Sequence, residues 1–117
     1  MPEQESIPAA GVLDNWSEES WTNGVQVDSM EDMEKLFIQT RNTLYEIIII
    51  DGPSGEVLVR GGQFFPELTP AHLAGATLGG SFCKIRGIYA GFRMEFNANG
   101  QRTVTTPVES IGVLAEV

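Results

Sequence analysis

The segment Leu44-Tyr45-Glu46-Ile47-Ile48-Ile49-Ile50 runs straight into Asp51-Gly52-Pro53-Ser54-Gly55. Four successive isoleucines are stiff at the first side-chain torsion, which counts against a helix and suits a pleated surface. The run is also too short for a helix of ordinary length and ends at a strong turn signal. It predicts a strand over 40–50, buried on much of both faces and central to a sheet. Gly52 and Gly55 supply unusual dihedrals in the turn, Pro53 stiffens it, and Glu56–Arg60 returns as the second arm of a hairpin.

Two short helices are expected around this hairpin. Ser29-Met30-Glu31-Asp32 has the arrangement of a helix start, and Met30, Met33 and Phe37 share one helical face, which places a helix over about 30–36. Thr69 as cap, Pro70 at the first helical position and Gly75 past the end predict one more helical turn. Further strands follow at Phe82–Arg86 and Ile88–Phe96, with Gly87 as a bulge within one bent strand. Ile88, Ala90, Phe92, Met94 and Phe96 alternate there with more polar neighbours. Asn97-Ala98-Asn99-Gly100 is an Asn-Gly hairpin signal. The strand Gln101–Thr106 ends at Pro107, as suits a sheet edge, and Val108, Ile111, Val113 and Leu114 add a final strand or dock the C-terminus.

Short hairpin-linked strands with glycines at the bends predict a mainly β fold. It is a small antiparallel β-barrel or strongly curled sheet of about six strands, with one or two short helices. Thirteen glycines and six prolines agree with a chain that turns often, and a hydrophobic fraction of 42% supports one core. The charge is uneven. Residues 1–35 hold nine acids and one base, whereas 36–117 hold seven acids and six bases. Residues 1–28 are therefore expected to be an acidic, partly disordered arm, and 29–117 the β domain.

This balance opposes general affinity for nucleic acid or anionic membrane. The single Cys83 closes no intramolecular disulfide, the N-terminus lacks a secretion-signal pattern, and no apolar run approaches the ~18 residues of a membrane span. The expectation is a cytoplasmic protein without a membrane partner.

His72 is the only histidine, so His and Cys assemble no metal cluster of ordinary spacing, and no cofactor motif is present. A Cys83–His72 nucleophile pair is outweighed by the simpler reading of Cys83 as a small buried hydrophobe. The leading expectation is a non-enzymatic binding module for another protein or a second copy. Its contact surface is the long connection 61–81, with Phe64, Phe65 and His72, together with Trp16 and Trp21 of the acidic arm. The alternative is a barrel that binds nucleic acid or another anion through Arg41, Lys84 and Arg86. An enzyme of unidentified class ranks third.

Overall fold

A computed structural model describes residues 21–78 and 83–114. In chain order the strands are β1 (Trp21–Thr22), β2 (Gly24–Gln26), β3 (Lys35–Thr40), β4 (Leu44–Asp51), β5 (Glu56–Gly61), β6 (Phe65–Thr77), β7 (Cys83–Ile85), β8 (Gly87–Tyr89), β9 (Arg93–Ala98) and β10 (Gln101–Leu114). A single 3-10 turn, Val27–Ser29, lies between β2 and β3. All pairings are antiparallel. Six strands pair in the order β3-β4-β5-β6-β9-β10, and β10 returns to β3. The curled antiparallel sheet of about six strands is thus the fold. β1 adds beside β10, β7 beside β6, and β2 with β8 forms a separate ribbon.

Two long strands make the curl. β6 pairs with β5 through Phe65–His72 and with β9 through His72–Thr77. β10 pairs with β9 through Gln101–Pro107 and with β3 through Val108–Leu114. Pro107 therefore does not end the last strand. It sits where β10 changes partner, between two register shifts, a place where a residue without an N–H costs no ladder bond.

The isoleucine run is the centre of the sheet, but it faces two ways. Tyr45, Ile47 and Ile49 are buried, Ile48 is half-buried and Ile50 is exposed. The expectation of burial on much of both faces is corrected to plain alternation, because only one face of this curled sheet looks onto the core. Leu36, Ile38, Ile47, Val57, Val59, Leu73, Met94, Phe96 and Ile111 fill that core, and Phe65 meets Phe96 edge-on with centroids 5.6 Å apart. Complete burial of each aliphatic side chain contributes about 1.5–3 kcal/mol relative to exposure.

Both expected helices are strands or turns instead. Residues 31–34 form a tight turn with Met33 at φ 72°, and Lys35–Thr40 is β3, whose Leu36 and Ile38 alternate inward with period two. Among the described residues the Ser29–Asp32 pair makes no capping contact: the Ser29 hydroxyl donates back to the Gln26 carbonyl at 2.9 Å, and within the turn the Glu34 carboxylate accepts the Glu31 N–H at 2.9 Å. Thr69–Gly75 belongs to β6. Its cross-strand partners on β5 and β9 outweigh the local capping signals, and Leu73 is buried opposite Phe96. The connection 61–81, expected to have little regular structure, is mostly this strand. The bent strand expected through Gly87 is three pieces, interrupted at Arg86 and again at 90–92.

The turns behave more as expected. Asn99 and Gly100 both take left-handed φ values, 54° and 79°, as a two-residue hairpin requires. In the 51–55 turn only Gly55 does so, at 80°. Gly52 is needed for another reason: a Cβ there would lie 2.5 Å from the Val27 carbonyl oxygen. Within the expected arm 1–28, Trp21–Thr22 pairs with β10, Gly24–Gln26 pairs with β8, and Val27 is completely buried.

Candidate functional site

One concavity is lined by the N-terminal half of β6 and a second by Gln63 and Phe64 in the turn before it. This half has β5 on one side and no strand on the other, among the described residues. Pro66–Leu68 bulges out, because β5 advances from Val59 to Gly61 while β6 takes four residues from Thr69 back to Phe65. The Leu73 N–H donates to the Gly55 carbonyl at 2.8 Å, so odd-numbered amides in this register face β5. Pro70 then stands with its missing N–H toward the open side, which deprives that edge of a donor and discourages strand addition.

The larger concavity is an open cleft of about 740 Å³. Its apolar lining is Ile50, Val57, Leu58, Pro70, Ala71 and Ala98, and its polar groups are Ser54, Glu56, His72, Asn97 and Asn99. β6 sets the row that crosses it, since His72 lies opposite Glu56 on β5 and opposite Asn97 on β9. The His72 imidazole makes no side-chain hydrogen bond or ion pair among the described residues. The volume is within the usual range for ligand sites, and the mix of an apolar floor with a few polar groups fits one.

The second concavity, about 260 Å³, lies between the β3–β4 turn, the β5–β6 turn and β10. It is lined by Asn42, Thr43, Tyr45, Gln63, Phe64, Val104, Thr105 and Thr106. Phe64 is 65% exposed, whereas its neighbour Phe65 is 3% exposed and belongs to the core. The pair expected to act together at a surface is therefore divided between surface and interior. Burial pushes the Tyr45 phenol above its ordinary pKa, and a hydrogen bond to Thr43 only partly offsets this.

The three cations expected to form an anion site are not brought together. Arg41 sits in the β3–β4 turn and its N–H donates to the Pro107 carbonyl at 3.1 Å. Arg86, at φ 59°, places Nε 3.3 Å from the Pro53 carbonyl and Nη1 3.4 Å from that of Leu73, so its guanidinium ties the 51–55 turn to β6. The two arginines thus lie at opposite ends of β4, separated by about 25 Å of strand. Lys84 is exposed, with Nζ 5.4 Å from the Tyr89 ring centroid.

Cys83 lies opposite Thr77, five residues along β6 from His72, or about 15 Å. It is half-buried rather than a core residue. Burial and the Glu95 carboxylate raise its thiol pKa, against the smaller opposing effects of Arg86 and Arg102. That environment is the reverse of an activated nucleophile's. No group of three or more His, Cys, Asp or Glu residues is arranged to hold a metal ion among the described residues. No helix in the described residues is long and apolar enough to cross a membrane. Trp21 stands on β1 opposite Gly112, and Trp16 lies outside the described residues.

On the outer face, Glu46 joins Lys35 at 3.1 Å and also contacts Arg60. Partial burial raises the carboxyl pKa, but the hydrogen bonds and charges of Arg60 and Lys35 outweigh that and leave it below the ordinary value. This cluster ties β3, β4 and β5 together and lines neither concavity.

Of the residues singled out in the sequence, His72 and Phe64 line concavities, but the sequence does not anticipate their neighbours there. Leu58 and Asn97 come to His72 only through strand pairing, and Asn42 and Thr106 come to Phe64 from the β3–β4 turn and from β10, both distant in sequence. Compared with known proteins, the chain matches no family model, no curated protein and no solved structure.

Proposed function

We infer that the protein is a non-enzymatic binding module whose principal contact surface is the cleft at His72, and that its partner is a segment of another protein. The observation that carries this reading is the cleft itself. An apolar floor from Leu58, Pro70 and Ala71 opens beside five polar side chains, on a strand edge whose proline removes a backbone donor. Such a surface takes side chains into a concavity rather than adding a strand. The separation of Cys83 from His72 supports a binding role over a thiol enzyme.

The test is selection of short peptides from a random display library against the protein, followed by amide chemical-shift mapping of the enriched sequences. Shifts centred on Leu58, Ala71, His72 and Asn97, and loss of binding in Leu58→Asp, are expected. Binding should change little between 50 and 500 mM salt, because apolar docking lacks the steep ionic-strength dependence of polyanion binding. Shifts located elsewhere, or unchanged affinity in Leu58→Asp, would overturn the assignment.

A further inference from the structure

The cavity beside Phe64 has a chemistry of its own. None of its eight lining residues carries a charge. The side chains of Asn42, Gln63 and Thr106 make no hydrogen bond among the described residues, so two amides and a hydroxyl are available at one opening. Tyr45 is 4% exposed, so its phenol is largely withdrawn from the opening. Thr105 is already satisfied, its hydroxyl accepting the Met94 N–H at 3.0 Å and donating to the Thr106 carbonyl at 2.7 Å. Phe64 stands at this cavity 65% exposed, an aromatic face with no place in the core.

Each of these features selects for the same kind of molecule. A charged ligand would lose hydration without gaining an opposite charge. A purely apolar ligand would leave the amides unpaired. An amide side chain both donates and accepts, which matches adjacent hydroxyl groups, and an exposed aromatic ring stacks on the C–H face of a saturated ring. We propose that this cavity is a second binding site, for a neutral sugar ring the size of one hexose, with Asn42, Gln63 and Thr106 contacting hydroxyls and Phe64 stacking on the ring. The volume of about 260 Å³ holds one such ring and no extended chain.

A ring with about a dozen heavy atoms, at the efficiency ordinary for small ligands, binds with a Kd on the order of 1–10 mM. The experiment is a titration of the full chain, labelled with ¹⁵N, with glucose, galactose, mannose and N-acetylglucosamine, alongside glucuronate and glucosamine as charged counterparts. Saturable shifts at Asn42, Gln63, Phe64 and Thr106 are expected with at least one neutral sugar, and weaker binding with both charged ones. Phe64→Ala should weaken binding about five- to tenfold. Gln63→Ala, at an exposed turn position, should weaken it about threefold or more. No saturable shift up to 100 mM for any neutral sugar would overturn the proposal, as would equal or tighter binding of a charged counterpart. A change in molar mass on Phe64→Ala, read by light scattering, would instead assign that ring to contact between copies and would equally overturn it.

Discussion

β4 and the N-terminal half of β6 are neighbours of the same strand, β5, yet they do opposite work. β4 has β3 opposite Leu44–Ile48 and β5 opposite Glu46–Asp51, and Ile49 also exchanges backbone bonds with Met33 and Glu34. Its inward residues are completely or almost completely buried. The first half of β6 has a partner on one side only, bulges at Pro66–Leu68, and lines the larger cleft with Pro70 and Ala71. The difference teaches that the buried anchor of the sheet and its open edge are separate strands. Apolar alternation closed on both sides makes β4 the anchor, and an edge broken by prolines leaves β6 accessible without inviting a further strand.

The sharpest way to break that contrast is substitution within the isoleucine run. Ile47→Ala should destabilise by about 3 kcal/mol, within the 2–5 expected for a fully buried aliphatic side chain, read as a lower urea midpoint. Ile48→Ala, one residue along and facing outward, should cost less than about 1 kcal/mol. Equal losses would remove the distinction between the two faces of β4.

Pro70→Ala tests the other strand. It should cost no more than about 1 kcal/mol, chiefly by freeing the unfolded chain, and the new N–H points to the open edge. Concentration-dependent self-association measured by light scattering is expected; a strictly unchanged molar mass would show that the proline does not guard that edge.

Glu46→Gln probes how the outer face of β4 is tied to its neighbours. Its partners are substantially exposed, so the expected loss is only about 0.5–1 kcal/mol at pH 7. The sign follows from the lowered carboxyl pKa: the contribution is complete above the ordinary value of 4.5 and disappears as pH falls through the folded value. The wild type and the variant should therefore converge in stability on acidification below pH 4.5. A gap that widens instead would contradict the ion-pair assignment.

The smallest expected effect is at His72, whose side chain makes no hydrogen bond or ion pair among the described residues. His72→Ala should change stability by less than about 0.5 kcal/mol while weakening peptide binding at the cleft.

The contrast between β4 and β6 also explains what was legible in the sequence. β4, β5 and the Asn99–Gly100 hairpin are dictated locally, by β-branching and turn residues; they are present as expected, except that β4 begins at Leu44 rather than at 40 and is buried on one face only. β3 and β6 are not. Ser29 to Asp32 and Thr69 to Gly75 carry good helix-boundary residues, and only their pairing with β4, β5 and β9 makes the flanking segments extended. For the same reason the site was visible only as isolated residues. His72 and Phe64 are conspicuous by type, but their companions Leu58, Asn97, Asn42 and Thr106 are ordinary residues gathered by registers that no local pattern encodes. Phe64 and Phe65 are identical in type and adjacent, and only the point at which β6 begins, with Phe65 paired to Gly61, separates the exposed ring from the buried one.

Residue-level amide hydrogen exchange tests the division between anchor and open edge most directly. The amides of Ile47 and Ile48 should exchange only through global unfolding, with opening free energies equal to the stability measured in urea. Those of Glu67 and Leu68, in the bulge of β6, should exchange orders of magnitude faster. Equal protection in the two segments, or fast exchange along Ile47–Ile49, would contradict the account.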